Sequence, residues 1–166
     1  MAKRALAAFG LLLAGAVVGL ALHVATSRGD NVFSWKRPDS LGVKDGRLSP
    51  CKRTPNCVSS QADPADAEHY VAPIAFKGSA LDAMAAVRKA VEDMERAAVV
   101  RHEGGYLHAE FRSKVMRFVD DVEFSADGRS GLVHVRSASR LGRRDFGVNR
   151  ARVEALRSRI EGRVKA

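Results

Sequence analysis

The sequence predicts an α+β domain: an antiparallel sheet of about five strands with two helices packed on one face, in the order β-α-β-β-β-β-α. Three observations carry this. Residues 106 to 139 hold three stretches of alternating apolar and polar side chains, separated by polar or Gly-containing loops. Leu81, Met84, Ala85, Val87, Val91 and Met94 recur at helical spacing. Val153, Leu156, Ile160 and Val164 repeat that spacing near the C-terminus.

An N-terminal hydrophobic helix is expected before the domain. Ala5 to Leu22 contains no charged side chain, and Lys3 and Arg4 precede it. Residues 1–27 therefore read as a signal peptide or a transmembrane anchor. The anchor is preferred, because Gly19-Leu20-Ala21 lies inside the apolar run and His23-Val24-Ala25 begins with a poor cleavage residue. Ala16 stands where a lipidated Cys would be needed after Leu13-Ala14-Gly15. Residues 28–47 are rich in Gly, Pro, Ser and charge and read as a linker with some docked apolar side chains, and residues 48–166 as the globular domain.

Within that domain, Tyr70–Phe76 is predicted as a strand with Pro73 near an edge. Ser79 is a suitable N-cap for a helix over 80–97. A short strand over Ala98–His102 turns at Glu103-Gly104-Gly105 into Tyr106–Ser113, where Leu107, Ala109 and Phe111 share one face. Phe118, Val122 and Phe124 share a face of the next strand, Arg117–Ser125. A two-residue Asp127-Gly128 turn then leads into Leu132–Ser139, pairing Val122 with Val133, Asp120 with Val135 and Asp121 with His134. The last helix begins near Asn149, taken as its N-cap.

Residues 117–154 carry more polar side chains than a hairpin and a helix start require. The alternation puts Asp120 on the apolar side of the sheet, where an ionised carboxylate needs a partner. Arg140, Arg150, Ser137 and Ser139 are the candidates. Asp120, Arg136, Ser137, Ser139, Arg140, Asp145, Asn149 and Arg150 form the candidate binding site or structural hub, with no catalytic assignment. Asp121, Glu123, His108 and His134 read as an exposed cross-strand charge set. Adjacent Asp120 and Asp121 point to opposite faces, so no metal site is expected there. His134 and Ser137 likewise have opposite parity, which argues against a Ser-His-Asp triad.

Cys51 and Cys57 are the only cysteines and share one Pro-containing loop. A disulfide is the natural pairing in an exported protein, with two free thiols as the other reading. The net charge is +9, and from Arg140 onward nine Lys or Arg stand against three acidic residues. Behind an export or anchor segment, such a basic end fits a solvated helix face, an anionic membrane surface or an envelope polymer better than nucleic acid.

The segments PCKRTPNCVSS (50–60), FVDDVEF (118–124) and VRSASRLGRRDFGVNRARVE (135–154) occur in that order, and together they resemble the DUF1499 family over about residues 48–160. The resemblance implies a bacterial-type protein, often behind a hydrophobic N-terminal segment, with no established activity to carry over. Lys52 departs from the Pro that usually follows the first Cys, and Arg143 and Arg144 stand where aromatic or small residues are usual. The element order is similar to helix-grip and TATA-binding-protein-like arrangements, a similarity of order only.

The expected function is that of a membrane-tethered envelope protein, single-pass in the inner membrane with a periplasmic domain. The other placement is secretion to the periplasm after cleavage. Its domain would be a non-enzymatic module that binds an apolar or lipid ligand, or an envelope protein partner, without a cofactor. The ligand would be enclosed between sheet and helix. The alternative is a hydrolase using Asp120 with nearby arginines, so whether the protein is an enzyme stays open on sequence grounds.

Overall fold

The computed structural model describes residues 36–164, with side chains through residue 163. The hydrophobic N-terminal segment, 1–27, lies outside the described residues. Among those described, no helix is long and apolar enough to cross a membrane.

The elements are β1 (Val43–Lys44), β2 (Arg47–Leu48), β3 (Cys57–Ser59), β4 (Ile74–Ala75), α1 (Ala80–Glu92), β5 (Ala97–Glu103), β6 (Tyr106–Arg112), β7 (Val119–Asp127), β8 (Leu132–Ser139) and α2 (Val148–Val164). The main sheet runs β3-β8-β7-β6-β5 with antiparallel neighbours. Below β3, β4 takes over the outer edge of β8. Strands β1 and β2 make a separate small hairpin. This is the expected α+β architecture with six strands in the sheet instead of about five.

The additional strand, β3, has three residues, too few for an alternation to be read. It is held by pairing Cys57 with Ala138 and Ser59 with Arg136, partners far away in sequence. The strand expected over 70–76 shrinks to Ile74–Ala75, with Tyr70 reduced to an isolated bridge to Ser59. Pro73 removes the N–H that would have continued the ladder.

Helix α1 has the expected cap: Ser79 Oγ accepts the Asp82 N–H at 3.1 Å. It stops at Glu92, short of 97, because Asp93–Arg96 turns the chain back into β5 with Arg96 at φ 58°. Its buried stripe is Ala83, Met84, Val87, Ala90 and Val91, so Leu81 is 70% exposed and faces solvent beside Ala85. Helix α2 buries Val153, Leu156 and Ile160 as expected. Asn149 is not its N-cap: the Asp145 carboxylate accepts the N–H groups of Gly147 and Asn149, at 3.0 and 2.8 Å. Asn149 sits in the first turn with its side chain buried.

The β7–β8 connection changes the register. It is a four-residue loop, 128–131, closed when Gly131 N donates to Asp127 O at 3.0 Å. Asp127 also accepts from Arg129 N and Ser130 Oγ, and Gly131 supplies the left-handed conformation with φ 67°. Asp120 therefore pairs with Ser139, Val122 with Ser137 and Asp121 with Ala138, while His134 faces Ser125. The slip is an even number of residues, so the side chains paired within β7 and β8 keep their predicted faces. Phe118, expected beside Val122 and Phe124, lies before β7 and is exposed.

Both helices cover one face. Val122, Phe124, Val133, Val135, Leu107 and Ala109 pack there against Met84, Val87, Leu156 and Ile160, all fully buried. The space in which a ligand was expected between sheet and helices is thus occupied by this core. Cys51 and Cys57 are disulfide-bonded, tying the loop before β3 to the sheet edge. In the chain-entropy treatment a ring this small contributes about 2 kcal/mol. Replacing both cysteines by Ser is expected to lower the unfolding free energy by about that amount in denaturant titrations. An unchanged midpoint would contradict it.

Candidate functional site

The polar residues of 117–154 divide into two networks on opposite faces of the sheet, because the pleat sends Asp120 and Asp121 in opposite directions. On the helix face, Asp120 Oδ2 accepts from Arg152 Nη2 at 2.6 Å. Arg152 Nη1 reaches Asn149 Oδ1 at 2.6 Å and Ser137 Oγ at 3.1 Å. Its guanidinium also lies 5.0 Å from the Phe111 ring centroid. Ser137 Oγ donates to Asn149 Oδ1 at 2.5 Å. Asn149 Nδ2 donates to Ser139 Oγ at 3.0 Å and to the Asn56 carbonyl at 3.1 Å. Asn56 in turn reaches the Gly142 carbonyl with its amide at 2.7 Å. One connected set of hydrogen bonds thus joins β7, β8, α2 and the Cys loop.

The partner of Asp120 is Arg152, which was not among the candidates. Arg152 lies one helical turn beyond Asn149, so the two share a helix face. That spacing is visible in the sequence, but only the packing angle of α2 selects Arg152 over Arg150. Arg150 instead donates to the backbone carbonyls of Tyr70, Ala67 and Glu68, at 2.8, 2.9 and 3.2 Å. It fastens α2 to the segment before β4.

On the other face Arg140 is the centre. Its Nε and Nη2 donate to the two oxygens of Asp121 at 2.8 and 2.7 Å, a bidentate pair, and Nη2 also reaches Glu110 at 2.6 Å. His108 Nε2 lies 2.8 Å from Asp121, and Arg37 and Arg112 reach Glu110 at 2.7 and 3.2 Å. One row along, Glu123 is fully buried and accepts from Gly42 N, Tyr106 Oη and Arg136 Nη1 at 2.7, 2.9 and 3.1 Å. Arg136 Nε is buried without a hydrogen-bond partner among the described residues.

His108, Asp121 and Glu123 are therefore not an exposed charge set. Asp121 is 2% exposed. His134 is the exception: it is only half-buried and contacts Ser60 Oγ at 3.3 Å. The segment 36–48 brings Arg37 and Gly42 onto this face, which a reading of strand alternation alone treats as solvent. Glu110, Arg37 and Asn56 were missed for the same reason: they join the site through contacts distant in sequence.

Burial pushes the Asp121 carboxyl up, but hydrogen bonds from Arg140 and His108 outweigh it and leave it below the usual carboxylate range. Burial acts the same way on Glu110 and is outweighed by Arg37 and Arg140. Arg140 is correspondingly raised, first by its hydrogen bond to Asp121. The Tyr106 hydroxyl is raised by burial and then by the Glu123 charge. Burial lowers His134.

Carboxylates with depressed folded values contribute stability that is complete above about pH 4 and is lost as pH falls through the folded values. The unfolding midpoint is therefore expected to fall as pH is lowered from about 5 to 2, and to fall less in an Asp121→Asn variant. A flat profile for the parent chain over that range would contradict the role of this network.

An open cleft of about 830 Å³ lies between the β1–β2 hairpin, the Cys loop and residues 59–69, and shares Gly42 with the Glu123 network. Leu41 and Leu48 provide apolar wall, and the cations Lys44, Arg47, Lys52 and Arg53 line it together with the carboxylates of Asp39, Asp45, Asp63 and Asp66. No residue of either helix lines it. Among the described residues, no group of three His, Cys, Asp or Glu is placed to hold a metal ion.

No curated protein matches the chain. The profile of a family described as "Protein of unknown function (DUF1499)" matches residues 47–160. That span runs from β2 through the buried turns of α2 and contains the disulfide and most of both networks. The chain belongs to the DUF1499 family.

Proposed function

We propose that the protein is a non-enzymatic binding module of the cell envelope, and that its ligand is a small amphiphile held in the cleft between the β1–β2 hairpin and the Cys loop. The carrying observation is the cleft itself, which combines apolar wall at Leu41 and Leu48 with cationic side chains at Lys44, Lys52 and Arg53 and carboxylates at Asp39, Asp45, Asp63 and Asp66. Such a combination suits an apolar chain whose polar head carries both signs of charge. The N-terminal apolar run would tether the protein to the inner membrane, and the Cys51–Cys57 disulfide fits a domain on the oxidising, periplasmic side.

The hydrolase reading has less support. Asp120 is engaged by Arg152, Ser137 is bonded to Asn149, and Arg136 and Arg140 are on the opposite face of the sheet. Native mass spectrometry of the full chain, gently extracted in detergent, tests the binding reading. A co-purifying amphiphile that is lost in Leu41→Glu and reduced in Lys52→Glu is expected. Bare protein mass, or a ligand unaffected by both substitutions, would overturn it.

A further inference from the structure

The β6–β7 loop (residues 113–118) and the β8–α2 loop (residues 140–147) end up side by side. Arg112 pairs with Val119 at the base of the first, and Arg140 N donates to Val119 O at 3.2 Å at the base of the second. Together they form one end of the domain. Val115 is 82% exposed there and Phe146 95%, with Met116 and Val148 also facing solvent. Around them stand Lys114, Arg117, Arg143 and Arg144, all exposed and none in an ion pair among the described residues.

Asp145 is the sole carboxylate of the two loops, and it is turned inward onto the N–H groups of Gly147 and Asn149. A large aromatic side chain left in water is unfavourable unless something covers it. Arg117 and Phe146 also adopt the left-handed conformation, at φ 54° and 55°. Non-glycine residues seldom take it without a compensating gain.

We infer that this end of the domain docks on an anionic lipid bilayer, with Val115, Met116 and Phe146 entering the interface and the four cations meeting lipid phosphates. Apolar tips ringed by Lys and Arg match the two attractions that hold a peripheral surface to such a bilayer. The described chain also begins at this end, since Arg37 pairs with Glu110 two residues before the end of β6. In the sequence only residues 23–35 separate the apolar run from that point. None of these loop residues lines the cleft, so the docking surface and the ligand reading stand or fall separately.

The test uses the full chain with its disulfide intact and a nitroxide at Val115→Cys or Phe146→Cys, added to phosphatidylcholine vesicles with and without phosphatidylglycerol. Accessibility to oxygen against a water-soluble nickel chelate reports depth. With phosphatidylglycerol present, both labels are expected to lose nickel accessibility and gain oxygen accessibility. A label at Arg129→Cys, in the β7–β8 loop at the other end, should stay aqueous. Combining Lys114→Glu, Arg117→Glu, Arg143→Glu and Arg144→Glu should return the tip labels to water, with the circular dichroism spectrum confirming an unchanged fold. If the four-fold variant misfolds, high salt acting on the parent chain should do the same. Tip labels that remain aqueous on phosphatidylglycerol vesicles would overturn the inference. So would equal immersion after charge reversal, or label protection that rises with protein concentration when no vesicles are present, which would indicate a second copy as the occupant.

Discussion

Replacing Arg140 with Ala is expected to destabilise the domain by about 3–5 kcal/mol, the usual cost of removing one member of a buried charge network. The magnitude follows from what is left behind. Asp121 loses a bidentate partner and keeps His108, while Glu110 keeps only Arg37 and Arg112, both partly in solvent. Asp121 would then lack the arginine that offsets its desolvation, and Glu110 would lose the one buried cation of its three.

Denaturant titrations of the full chain should show a lower midpoint with an unchanged slope. Arg140→Lys should recover only part of the loss, because an ammonium cannot span both Asp121 oxygens and Glu110 as a planar fork does. The double variant Arg140→Ala/Asp121→Ala should cost less than the sum of its singles. A loss below about 1 kcal/mol for Arg140→Ala would mean that the network behaves as an exposed one.

Arg152→Ala should be the next most damaging of these substitutions, at about 3 kcal/mol. Arg152 ties Asp120 on β7 to Ser137 on β8 and Asn149 in its own helix, and stacks its guanidinium near Phe111 on β6. Its removal leaves Asp120 without an ionic partner on the helix face and loosens the first turns of α2. Hydrogen exchange separates this from a general loss of stability: protection should fall first in residues 148–153 and in β7 near Asp120, ahead of α1. Asp120→Asn should be milder than Arg152→Ala, since the amide oxygen still accepts from the guanidinium and Arg152 keeps its bonds to Asn149 and Ser137, although it loses its counter-ion. Equal or greater damage from Asp120→Asn would point to a role for the charge of Asp120 beyond fastening the helix.

The strands from β5 to β8 and both helices were legible because each has a period that burial imposes: alternate residues on a half-buried strand, every third or fourth on a helix. Leu107, Ala109, Phe111, Val122 and Phe124 point into the core as their alternation requires. Leu81 shows the limit of such patterns, since Ala83 and Ala90 take the buried positions and the larger side chain is left outside. Strand β3 has no pattern of its own and exists through its pairing with β8.

For the candidate site, the division of Asp120 from Asp121 was readable from parity and survived the change in turn. The partners were not. Arg140 lies with Asp121 and Arg152 with Asp120, and the choice depends on where a loop ends and how a helix crosses the sheet. The density of polar residues in 117–154, the disulfide-capable cysteines, the family signature and the faces of the residues in β6, β7 and β8 were already determined by the sequence. These follow from local chemistry and the period of the backbone. Only the tertiary structure decided the register of β7 against β8, the burial of the Asp121 face under residues 36–48, the pairing of each arginine, and the meeting of two short loops at one end. Each of those rests on contacts between residues far apart in the chain, whose geometry no local pattern encodes.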